Sequence, residues 1–118
     1  MRIEGKGKLL RVFIGDSDTR DGKPLHHAIV TAARDAGLAG ATVLHGLEGY
    51  GAASRIHTAK ILRLSEDLPV VVEIVDKPER IQAFLPRLDE MIVEGLVTLE
   101  DVDIITYRHN VSGKDAGA

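Results

Sequence analysis

The chain has 118 residues, a formal net charge of −3 and 44% hydrophobic residues, enough for one hydrophobic core and too few for two. The acidic balance, with no Lys/Arg cluster interleaved with aromatics, argues against nucleic acid or an anionic membrane as the main partner. Cysteine is absent and aromatics are only 3%, which excludes disulfides, thiolate nucleophiles and Cys-based zinc sites and predicts an aliphatic, alanine-rich core.

Met1 to Lys8 is polar and charged, and neither a signal peptide nor a membrane span follows it. A soluble, cytoplasmic protein is the expectation. Leu9 to Ile14 reads as a strand, stopped by Gly15-Asp16-Ser17-Asp18 and the polar run to Lys23. Pro24 suits the first turn of a helix. Leu25, Ala28, Ile29, Ala32, Ala33 and Ala36 then recur at the spacing of one helical face, and Gly37 is placed for a left-handed cap. Ala41 to Leu47 forms a second, weaker strand.

A long connection follows. Gly46 to Thr58 holds three glycines, Tyr50, Arg55 and His57, where an economical strand connection needs roughly two to five residues. Its length and chemistry mark it as the working surface. Beyond it, Ile61 and Leu62 lead to the clearest strand, Leu68 to Val75. Asp76 and Glu79 have capping-box spacing around Pro78. Ile81, Phe84, Leu85, Leu88 and Ile92 mark the buried face of a second helix, which Pro86 should kink and Gly95 should close. Val97 to Tyr107 supplies the last strand. A single domain over 8–109 and a flexible tail over 110–118 follow from this reading.

The order strand, helix, strand, loop, strand, helix, strand gives two βαβ halves without a sequence repeat. Such halves interleave into a ferredoxin-like α+β sandwich, a four-stranded antiparallel sheet with both helices on one face. Val70, Val72 and Ile74 then face the helices, while Val71, Val75, Leu9 and Phe13 point to a face without intramolecular cover. An apolar sheet face of that size marks an interface, so a homo-oligomer is expected.

Candidate chemistry concentrates in the loop. Gly46, Gly49 and Gly51 can bring backbone amides to a phosphate or can serve tight turns alone. Arg55 suits phosphate or carboxylate, against a surface ion pair with Glu48 or Glu66. Tyr50 can stack on a purine or pack on a neighbouring subunit. His45 and His57 flank the loop with Glu48 between them, but no metal-ligand motif is present, and adjacent His26 and His27 diverge on a helix. No metal or cofactor is assigned. Asp16, Ser17 and Asp18 read as turn residues bonding local amides. Adjacent Asp89 and Glu90, and Ser54 with His57, form no catalytic constellation, so no enzyme activity is expected.

Leu10-Arg11-Val12-Phe13-Ile14-Gly15, Gly37 to Val43, Gly49-Tyr50-Gly51, Ser54 to Thr58, Glu66 to Val70 and Gly95 to Thr98 together resemble the PII-like family of uncharacterised domain proteins, relatives of nitrogen-regulatory PII signalling proteins. The resemblance implies a ferredoxin-like homotrimer that senses a small ligand at subunit clefts and acts through a mobile loop. It implies Gly46, Gly49, Tyr50, Gly51, Ser54, Arg55 and His57 as the loop side of the site, with Arg108 adding charge from the last strand. In PII proteins the turn after the second helix is rich in glycine and lysine; here Glu94-Gly95-Leu96-Val97-Thr98 has one glycine and no lysine. That favours a less charged adenine nucleotide over a triphosphate. The implied partner is a membrane transporter, since family members are sometimes encoded beside fluoride exporters, or an enzyme. The alternative is a divalent-metal-binding trimer resembling copper-tolerance proteins of the same fold.

Overall fold

A computed structural model of the chain describes residues 2–51, 57–58 and 67–109. In chain order the elements are β1 (Arg2–Gly15), β2 (Thr19–Arg20), β3 (Lys23–Pro24), α1 (Leu25–Asp35), β4 (Thr42–His45), β5 (Glu48–Gly49), β6 (His57–Thr58), β7 (Pro69–Asp76), α2 (Pro78–Met91) and β8 (Leu96–Arg108). Ile61, Leu62 and the 110–118 tail lie outside the described residues.

The main sheet runs β4-β7-β1-β8, each pair antiparallel. This is the ferredoxin-like order. Strand alternation divides the apolar side chains between two faces. Leu10, Val12, Ile14, Val70, Val72 and Ile74 point inward and are buried beneath the helices. The helices close this core with Leu25, Ile29, Ala32 and Ala33 of α1 and Ile81, Phe84, Leu88 and Met91 of α2.

Helix α1 ends as its sequence predicts. Gly37 takes φ +79°, the Leu38 amide donates to the Ala33 carbonyl, and the Gly37 amide donates to Arg34. That pair of bonds is a Schellman motif. Ala36, placed on the apolar face by its spacing, is instead the exposed C-cap.

Three further expectations are corrected. Strand β1 begins at Arg2 rather than Leu9, because its first half pairs with the far half of β8 in a ribbon. Asp76 does not cap α2. It ends β7 with its carboxylate fully buried, accepting from the Ala39 amide at 2.9 Å and the Lys77 amide at 2.7 Å, with Arg80 Nε 3.6 Å away. Gly95 does not close α2 either: the helix stops at Met91 because Ile92 turns extended. Gly95 sits at φ +153°, where an added Cβ would meet the Phe13 carbonyl oxygen at 2.9 Å. Pro86 does lie inside α2.

Candidate functional site

The long connection springs from the end of β4, and a single turn organises both of its ends. Gly15 to Asp18, at the end of β1, is tightened by the Asp18 carboxylate accepting from the Gly15 amide at 2.9 Å. Asp16 reaches the entry side, its Oδ1 2.9 Å from His45 Nε2. The exit side is held twice: Ser17 donates its amide to Asp67 Oδ1 at 2.7 Å, and Asp16 donates its amide to the Leu68 carbonyl at 2.8 Å. Of the three turn residues, Asp18 bonds locally as its residue type predicts, while Asp16 reaches across to β4. Sequence reasoning missed this clamp, since partners lie 29 and 50 positions apart.

Inside the connection, β5 pairs with β6 through Glu48↔Thr58 and Gly49↔His57. Gly46 donates to the Pro69 carbonyl at 2.7 Å, and a Cβ on Gly46 or Gly49 would stand 2.6 or 3.1 Å from the Pro69 ring. Two of the three glycines therefore allow the connection to lie close on β7. No described residue stands within 4 Å of a Cβ on Gly51, and Tyr50 is 72% exposed. Gly46 and Gly49 thus lie against Pro69, and exposed Tyr50 and Gly51 follow them directly in the chain. Ser54, Arg55 and the His57 side chain lie outside the described residues.

Arg108 is not brought to this surface within one chain. In the register of β8 on β1, Leu96 faces Phe13 near the clamp, whereas Arg108 faces Arg2. Those twelve steps of strand span roughly 40 Å. His26 and His45 rings lie edge to face, with centroids 6.2 Å apart. Among the described residues no group of three or more His, Asp or Glu is arranged to hold a metal ion.

The outer face of the sheet leads to the same place. Leu44, Val71, Phe13 and Leu96 form one cross-strand row, with Leu44 48% and Leu96 57% exposed. In the adjacent row Arg11 lies between two carboxylates, Nε 2.9 Å from Glu73 and Nη1 2.5 Å from Glu100. The hydrogen bond that Arg11 donates to Glu73 leads the effects that hold the Arg11 guanidinium above its ordinary pKa.

A ferredoxin-like sheet with an uncovered apolar face and a clamped loop at its edge defines the class of small α+β proteins to which solved structures are similar. A nitrogen regulatory PII-like protein, CPII, from Thiomonas intermedia K12, bound to ADP, AMP and bicarbonate, is 16% identical with a TM-score of 0.57, over 84% of this chain and 88% of that one. CutA from Synechococcus elongatus PCC7942, complexed with Bis-Tris, is 14% identical with a TM-score of 0.57, over 98% and 94%. The chain belongs to the DUF190 family (Uncharacterized ACR, COG1993), whose model matches residues 7–104. A UPF0166 protein of Aquifex aeolicus (strain VF5) is 42% identical over 105 residues, 89% of this chain and 98% of the relative. A UPF0166 protein of Methanocaldococcus jannaschii is 35% identical over 100 residues, 84% and 92%.

Proposed function

We propose that this chain is a homotrimeric, PII-like regulatory protein that binds a small effector, an adenine nucleotide, beside the Gly46–Thr58 loop. The observation that carries the reading is the continuity of the open apolar row with the loop base. Leu44, at the edge of that row, is followed directly by His45 of the clamp and Gly46. A second copy seated on the row meets the loop, so the effector lies in a cleft between subunits. Gly51, Tyr50, Ser54, Arg55 and His57 supply the loop side. Arg108, remote in its own chain, contributes from a neighbour.

Binding selects one loop conformation, and a membrane transporter or an enzyme reads it. No covalent chemistry is part of this function. The shared fold of CPII, whose structure holds ADP and AMP, supports the ligand class. Calorimetric titration with AMP, ADP, ATP and cyclic nucleotides, with and without Mg²⁺, tests it. Saturable heat that Arg55→Ala abolishes is expected. No heat with any nucleotide would overturn the reading.

The second reading, a divalent-metal-binding trimer, is supported by the equal likeness to CutA, with His45 at the loop entry as its candidate ligand in this chain. It predicts metal uptake that the His45→Ala, His57→Ala double variant loses. Uptake unchanged in that variant would contradict it.

A further inference from the structure

We propose a second anion site, on the helical side of the molecule and built from none of the loop residues. The hairpin of β2 and β3 turns through Asp21 (φ +53°) and Gly22 (φ +79°), the two positive φ values of a type I′ turn. That turn sets Arg20 directly opposite Lys23. Like charges facing across a strand pair repel, and an anion held between Arg20 and Lys23 would relieve that repulsion. Arg20 is fixed in place by donating to the Glu90 carbonyl at the end of α2, at 3.1 Å.

Arg34 of α1 and Arg87 of α2 complete four cationic side chains around a hollow of about 460 Å³, against the single carboxylate of Asp21. Its floor includes Ala28, Ala32 and Met91, where the small residues of α1 leave room that larger ones would fill. On β1, by contrast, Lys6, Lys8 and Arg11 each hold a carboxylate. In the hollow neither Lys23 nor Arg87 is ion-paired with a described residue, and Arg34 meets Asp35 only at 3.9 Å. A chain of net charge −3 has thus gathered unpaired positive charge around one hollow of ligand size. A small phosphorylated molecule fits it: the phosphate separates Arg20 from Lys23 electrostatically and receives guanidinium donors, and the apolar remainder rests on the alanine floor.

Inorganic pyrophosphate is the probe, titrated into the full chain and followed by backbone amide resonances, with sodium chloride at matched ionic strength as control. Saturable shifts confined to residues 20–34 and 87–91 are expected. They should weaken at least tenfold in Lys23→Glu, Arg87→Glu, while nucleotide heat at the loop is unchanged. Arg87→Gln, which keeps size and polarity, should weaken them in part and serves where the double variant fails to fold. Shifts no larger than those of sodium chloride, or affinity unchanged in Arg87→Gln, would overturn the proposal. Loss of nucleotide binding with this response intact would instead sink the loop reading.

Discussion

Asp76 is a carboxylate with no exposure to water, and its two oxygens are committed to the amides of Ala39 and Lys77. Removing it strands both donors and leaves Arg80 without its carboxylate, holding only the Gly37 carbonyl. Asp76→Ala should therefore cost about 3 kcal/mol, read as a lowered denaturant midpoint, and Asp76→Asn distinctly less. An alanine variant as stable as the parent would show that water replaces the carboxylate. The role was not legible in the sequence, because Asp76-x-x-Glu79 matches a capping box equally well. Only the end of β7 decides that the side chain turns inward, to the loop after α1. Asp16 is a similar case. Asp16→Ala should leave the global unfolding midpoint nearly unchanged yet weaken nucleotide binding about tenfold, by releasing His45 at the loop entry. Equal affinity in parent and variant would remove Asp16 from the positioning of the loop.

At the scale of elements, the helices and central strands were legible because burial writes itself into periodicity. Val70, Val72 and Ile74 alternate, and Ile81, Phe84 and Leu88 recur at helical spacing. Leu88, 2% exposed in the last turn of α2, should cost about 3 kcal/mol of stability on truncation to Ala, measured by chemical denaturation. The first half of β1 was not legible for the converse reason: most of its residues from Arg2 to Lys6 are exposed, so no apolar alternation marks it. Charge across strands marks its register instead, Lys6 to Asp103 at 2.7 Å and Lys8 to Asp101 at 2.5 Å. The Lys8 hydrogen bond leads the effects that hold Asp101 below its ordinary pKa, and the Asp103 hydrogen bond leads those that raise Lys6. A lowered acid stabilises above its unfolded value and loses that contribution as pH falls through the folded one. A raised base stabilises below its unfolded value and loses it as pH rises through the folded one. Corrected for intrinsic rates, amide exchange in the ribbon should be slowest between roughly pH 4 and pH 10. The minimum should flatten in high salt, because these pairs are solvated. A profile insensitive to pH and salt would assign the ribbon's register to its backbone alone.

For the whole molecule, the two-faced strands led to the expectation of neighbouring copies, and the register identifies the apolar row on which the proposed copies would sit. Leu44 and Leu96 are apolar and exposed, with half-buried Val71 and Phe13 between them, while Arg11, Glu73 and Glu100 beside them arrive already paired. A paired cluster can be covered by a neighbour at far lower cost than a lone charge. Under the proposed function, the loop residues that meet Arg108 belong to a second subunit, so the sequence of one chain does not identify them. The direct measurement is an AMP titration of the parent and of Phe13→Glu, Leu44→Lys, with light scattering on the same samples. The account predicts a trimer that binds one nucleotide per subunit, and a folded but dissociated variant whose affinity falls at least tenfold. A dissociated variant that binds AMP as tightly as the parent, or a parent trimer that binds none, would contradict a site shared between subunits.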